Sequence, residues 1–150
     1  MSAGAGMQQA WDMMHNYLKV EIAGRAYKAA NELRNEAIDN VLKGQRSGRV
    51  YRVPMTSKTY TASAPGEPPA NRTGVFRMAW HPDVRIGTEG NDFTVISEIN
   101  NPVRVPSGEL LGDILENGSP GGKIAPRPHH DRIKEAALPE IMNIYQRPYF

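Results

Sequence analysis

The sequence predicts an α+β protein, with a long N-terminal helix and a C-terminal helix packed on a small antiparallel sheet and a proline-rich extended arm. Three observations predict it. Apolar residues recur at helical spacing from Trp11 to Val41 and again from Ile133 to Ile144. Short alternating runs bounded by Gly, Pro and Asn lie between them. Pro65, Pro68 and Pro69 crowd into one short stretch that cannot be helix or central strand.

Residues 1–6, all small apart from Met1, are expected to be disordered. One domain is expected over 7–150. Its first helix runs over 7–44, with Trp11, Met14, Leu18, Ile22, Ala26, Ala30, Leu33, Ala37 and Val41 on one face and Gly44 as C-cap. Gly24 within it costs about 1 kcal/mol against alanine and marks a place for a kink or break. A helix of that length outruns a compact body, so part of its stripe is expected to pack on another subunit.

The sheet, the arm and short helices occupy 49–128. Arg49–Val53 alternates as a strand that Pro54 ends, and a second short strand is read at Lys58–Ala62. The arm from Ser63 to Ala70 is expected to run extended, near polyproline II, and to lie on an adjacent subunit. Thr73 then caps a short helix holding Val75, Phe76, Met78 and Ala79. Strands at Asp83–Gly87 and Phe93–Ile99 form a hairpin through Thr88-Glu89-Gly90-Asn91-Asp92. Ser107 is read as the cap of a helix over 109–116, and 118–128 as a loop. The last helix covers 129–147, with Pro139 expected to kink or split it. Trp80, Phe76 and Tyr51 are the expected aromatic core.

Composition narrows the function. The chain has no cysteine, which removes disulfides, zinc–thiolate sites and thiol catalysis. No apolar run approaches the roughly 18–20 residues that cross a bilayer, and no signal-peptide stretch is read at the start. A cytosolic assembly is the natural reading, with no membrane partner. A formal charge of +2 is too small to argue for a nucleic-acid binder, and Arg46, Arg49 and Arg52 form the densest basic group. His129-His130-Asp131, with His81 and Glu116, supplies metal-ligand types, but two histidines at i and i+4 are absent and adjacent residues at a helix start point apart. His129 and His130 are expected to contact a neighbour or solvent. No nucleophile elbow or Walker-type loop is present. The expectation is a chain without catalytic residues, metal or cofactor.

The segment Ser63-Ala64-Pro65-Gly66-Glu67-Pro68-Pro69 leads into Thr73-Gly74-Val75-Phe76-Arg77. Further on come Ile114-Leu115-Glu116-Asn117-Gly118-Ser119, Pro120-Gly121-Gly122 and Ala125-Pro126-Arg127-Pro128. In order and spacing these segments resemble the head–tail joining (tail-completion) family of long-tailed bacteriophages. Arg72 stands where an acidic residue is usual in that family, Leu111 where an aromatic is usual, and His129 and His130 replace an apolar pair. The resemblance implies a structural virion protein forming a ring in the neck, completing the tail end or joining tail to head. A hexamer matches the usual tail symmetry and a dodecamer the portal side. Implied neighbours are the connector or stopper and the tail tube, with DNA passing through the lumen. A DNA-binding accessory protein of packaging or processing is the alternative, and a metal-dependent hydrolase the third reading.

Subunit contacts are expected from the arm (Pro65, Gly66, Glu67, Pro68, Pro69), from Thr73, and from Arg77 facing a partner. Glu116 is read either as the partner of an arginine on the next subunit or as a solvated helix-end carboxylate. Arg127, held between two prolines, is expected to clamp a carboxylate with little entropy to lose.

Overall fold

The computed structural model describes residues 3–90 and 92–150. The fold is α+β: a long N-terminal helix and a C-terminal helix with two small antiparallel hairpins. Helix α1 spans Ala3–Glu36, β1 Val50–Arg52, β2 Thr59–Thr61 and α2 Val75–Met78. Strands β3 (His81–Glu89) and β4 (Asp92–Asn100), then α3 (Leu111–Asn117) and α4 (His130–Gln146), complete it.

The C-terminal half of α1 is the scaffold. Ala26, Ala29 and Ala30 are all but fully buried, and their small side chains let the β3–β4 hairpin and α4 approach the helix closely. Ser97 Oγ on β4 donates to the Ala26 carbonyl at 2.8 Å, and Arg34 Nε on α1 donates to the Trp80 carbonyl at 3.1 Å. The core is Ala37, Ile38, Leu42, Trp80 and Ile133, with Leu33, Val41, Phe76 and Ile99 packed around it. Tyr51 is not part of it. It is half exposed and stacks on Tyr60 across β1–β2, with ring centroids 5.9 Å apart.

Several elements depart from the sequence expectation for identifiable reasons. Helicity begins at Ala3 rather than at Met7, so residues 3–6 are ordered helix, and Met1 and Ser2 lie outside the described residues. Gly24 does not break α1. The helix does not close on a left-handed Gly44. It widens into a π turn over Ala37–Val41, and the Leu42 N–H reaches the Ala37 carbonyl at 3.0 Å. Arg46 makes a glycine cap unnecessary, because its guanidinium donates to the carbonyls of Val41, Gly44 and Gln45. Pro139 leaves α4 unbroken, since it sits on the exposed face where water can take the carbonyl it frees.

The β3–β4 strands are longer than expected, pairing from His81↔Asn100 to Glu89↔Asp92, so only two residues separate them. Ser107 is not a helix cap. Val105-Pro106-Ser107-Gly108 closes a tight turn, with Gly108 N–H on the Val105 carbonyl at 2.8 Å, and α3 starts later, at Leu111. Gly74, at φ +82, rather than Thr73, is the N-cap of α2, and Thr73 Oγ1 accepts from the Val75 N–H at 3.4 Å.

The proline-rich segment is the largest departure. It does not project as a strut. Ala64-Pro65-Gly66-Glu67 folds into a tight turn with Glu67 N–H on the Ala64 carbonyl at 3.1 Å and Gly66 at φ +82, the positions that proline and glycine favour in a type II turn. Pro68 and Pro69 are buried against the body. Their carbonyls accept from Arg46 Nε at 2.8 and 3.2 Å, and Ser63 Oγ donates to the Pro68 carbonyl at 2.6 Å. Glu67 accepts from the Ser47 hydroxyl, the Ser47 N–H and the Ala64 N–H, which hold its carboxyl down to about 2.

Two glycines separate backbone freedom from packing. Gly24 has open space where a Cβ would stand, so Gly24→Ala is expected to stabilise the fold by up to about 1 kcal/mol. A Cβ at Gly48 would lie inside contact distance of the Ala62 carbonyl and 2.8 Å from the Ser63 carbonyl carbon. Gly48→Ala is therefore expected to cost about 1–3 kcal/mol by prising the strand entry away from the proline loop. Thermal melts of the two variants should move in opposite directions.

Candidate functional site

The proline loop, α2 and α3 enclose a hollow of about 670 Å³. Its walls are Leu42, Phe76, Val103, Leu111, Leu115 and Ile124, with Tyr60 and Pro69 at the loop side. Arg72, Arg77 and Arg127 also line it, and no aspartate or glutamate does. Each wall has a local cause. Pro69 is pinned by Arg46, and α2 is set by the left-handed Gly74. Asn101 Nδ2 donates to the Phe76 carbonyl at 2.7 Å and fixes the end of α2. Gly118, at φ +84, turns the chain after α3, and a Cβ there would meet the Ile124 carbonyl at 2.9 Å. The Arg127 N–H then returns to the Leu115 carbonyl at 2.6 Å, which holds the Pro126-Arg127-Pro128 turn against α3.

Of the expected contact residues, Pro69, Thr73, Arg77 and Arg127 line this hollow. Pro65, Gly66, Glu67, Pro68 and Glu116 do not. Pro65 and Gly66 are exposed at the turn, and the Gly66 carbonyl accepts from Arg132 Nη2 at 2.8 Å. Glu67 and Pro68 are spent on intramolecular bonds. Arg72 is a lining residue that motif reading passed over; the one sign of it was a basic residue at a position where an acidic one is usual.

Glu116 is not a freely solvated helix end. Its Oε2 accepts the His129 and His130 N–H groups at 2.8 and 3.2 Å, so it caps α4 from α3. His129 is fully buried, edge-on to Phe76 and Trp80, contrary to the expectation of a solvent or neighbour contact. The two histidine rings do not point apart; their centroids are 4.5 Å apart and both Nδ1 atoms face Glu116. His129 Nδ1 lies 2.9 Å from the Arg127 carbonyl and 3.0 Å from Glu116 Oε2, two acceptors, which assigns the proton to that nitrogen. Its lone pair is then on Nε2, buried without a hydrogen-bond partner. The Glu116–His129–His130 group thus has metal-ligand types in proximity but holds its shared oxygen with N–H donors, an arrangement that builds a helix cap.

Burial pushes the Glu116 carboxyl up, but the N–H groups of His129 and His130 and the two rings together hold it below its ordinary value. Burial lowers His129, against the opposing pull of the Arg127 carbonyl. A second apolar hollow of about 530 Å³ lies between α4 and β4, bounded by Leu33, Ile99, Ile133 and Tyr145. Comparison with protein-family models, with curated proteins and with solved structures found no match to this chain.

A histidine whose folded pKa lies below its unfolded value contributes stability above about pH 6.5 that is lost as pH falls, because the unfolded chain takes up the proton first. Thermal stability is expected to decline below that pH. His129→Leu should flatten this segment of the pH profile whatever it does to the plateau. Glu116→Ala, which removes the oxygen that accepts both N–H groups, should lower stability near neutral pH by about 1 kcal/mol, as loss of a helix cap does. An unchanged slope in the leucine variant would remove the assignment.

Proposed function

We propose that this chain is a structural component of a phage neck, acting by assembly and not by catalysis. In this reading it forms a ring, a hexamer with a dodecamer as the alternative, that completes the tail end or joins tail to head. One observation carries the assembly half. The chain exposes 10235 Å², whereas a compact monomer of 16.6 kDa exposes about 7,600 Å². Helix α1, of 34 residues, is about 50 Å long against a body of roughly 40 Å for this chain length. Met7, Trp11, Met14 and Tyr17 stand exposed on its N-terminal half, in or beside the stripe that Ala26 and Ala30 continue into the core.

Apolar helix surface of this extent supports a contact with another subunit. The phage half rests on the resemblance of the Ser63–Arg77 and Ile114–Pro128 segments to head–tail joining proteins. The implied neighbours are the connector or stopper on one side and the tail tube on the other. The implied place is the virion neck, after assembly in the host cytoplasm, with DNA passing through the lumen. No helix among the described residues is long and apolar enough to cross a membrane.

Light scattering and negative-stain images of the purified chain are expected to give closed rings. Trp11→Asp with Met14→Asp should yield monomers whose melting temperature matches the wild-type monomer, since neither residue touches the core. Phage complemented with that variant should accumulate filled heads and unattached tails. Wild-type chain that stays monomeric at high concentration, or rings that survive both substitutions, would count against the reading.

A further inference from the structure

The hollow bounded by α2, α3 and the proline loop carries charge that this chain leaves uncompensated. Arg72, Arg77 and Arg127 line it, and none of the three forms an ion pair with a carboxylate among the described residues. Arg77 Nε is buried with no hydrogen-bond partner, and its Nη2 meets only the Met78 sulfur, at 3.8 Å. Arg127 reaches only the adjacent Pro126 carbonyl, at 3.5 Å, and Arg72 lies over the Tyr60 ring at 6.0 Å. Arg25 and Arg46, by contrast, each have both terminal nitrogens and Nε engaged. Buried guanidinium donors are ordinarily satisfied, and Arg77 Nε is the one guanidinium nitrogen among the described residues that is buried without a partner.

We propose that this hollow docks a short segment of a second protein that carries a carboxylate side chain flanked by apolar ones. The carboxylate bonds the free edge of the Arg77 guanidinium, with Arg127 and Arg72 supplying the surrounding positive field. The apolar flanks fill the space walled by Leu42, Phe76, Val103, Leu111, Leu115 and Ile124. The walls argue against a nucleic-acid backbone, whose phosphates would enter a largely aliphatic cavity with nothing apolar to bury. The exposed N-terminal end of α1 is a poor occupant, since the one carboxylate it offers, Asp12, is already bonded by Gln8. No residue of α1 lines the hollow, so substitutions at Trp11 and Met14 leave its walls unchanged.

Fluorescence anisotropy with a labelled Leu-Glu-Phe-Glu-Leu peptide tests the proposal, beside its glutamine counterpart and a short DNA duplex. The glutamate peptide is expected to bind about tenfold or more tighter than the glutamine one. Arg77→Ala should remove that preference, and Arg77→Lys should not restore it, because lysine lacks the fork. Arg85→Ala, whose side chain pairs with Glu98 on the hairpin, should leave affinity unchanged. Melting temperatures of all variants establish that they fold. Equal affinity for both peptides, indifference to Arg77→Ala, or tighter duplex binding lost with Arg77 and Arg127 would overturn the proposal. Repeating the measurement on the Trp11→Asp, Met14→Asp monomer separates its failure from a failure of the ring reading.

Discussion

An α-helix ends on carbonyls that have no intrahelical donor, and a Pro-Pro segment has carbonyls but no N–H groups with which to join a ladder. Two arginines meet both demands here, and the rest of the chain is arranged around them. Arg46 gathers the end of the π turn and the Pro68-Pro69 carbonyls onto one guanidinium, which fixes the proline loop against the body. Arg25 does the same for the end of α4, donating to the carbonyls of Ile144, Tyr145, Arg147 and Pro148 while its face lies 3.8 Å from the Tyr149 ring centroid. Glu116 is the complement at the start of α4. With these three charges committed to backbone groups, the arginines left over at Arg72, Arg77 and Arg127 become conspicuous.

The parts of the fold that show in the sequence are those with a local period. The α1 stripe, the β3–β4 alternation and the α4 stripe each follow from spacing alone. Periodicity reports which residues share a face, not how much of that face is covered. Trp11 and Ala26 belong to one stripe, yet the first is exposed and the second sealed. The proline segment was legible in a different way. Pro65-Gly66 is the central pair of a type II turn, a stronger statement than the polyproline habit of the residues around it.

What could not be read locally was made by long-range bonds. Nothing near Arg46 announces that its partners lie at Pro68 and Pro69, and nothing near Glu116 announces His129. The burial of His129 did leave a trace. It stands four residues before Ile133 and eight before Ala137, in line with the apolar stripe of α4, and residue type hid what spacing offered. Tyr51 misled in the opposite sense, because an aromatic in a two-stranded hairpin has only its cross-strand neighbour to cover it.

A protein placed between different neighbours needs more than one kind of surface. Contacts between copies in a ring are heterologous, and the two complementary patches lie on the same chain. Contact with a different protein needs a third surface that copies do not occupy. The exposed half of α1 and the arginine-lined hollow are separate in sequence and unlike in chemistry: one is broad, apolar and nearly uncharged, the other a half-open, cationic recess. An apolar stripe suits a permanent contact, where area is buried once. A charged fork in an apolar cavity suits discrimination, because a segment lacking the carboxylate leaves the guanidinium desolvated and unpaired. On the assembly proposed above, α1 would set how many copies come together and the hollow what they join.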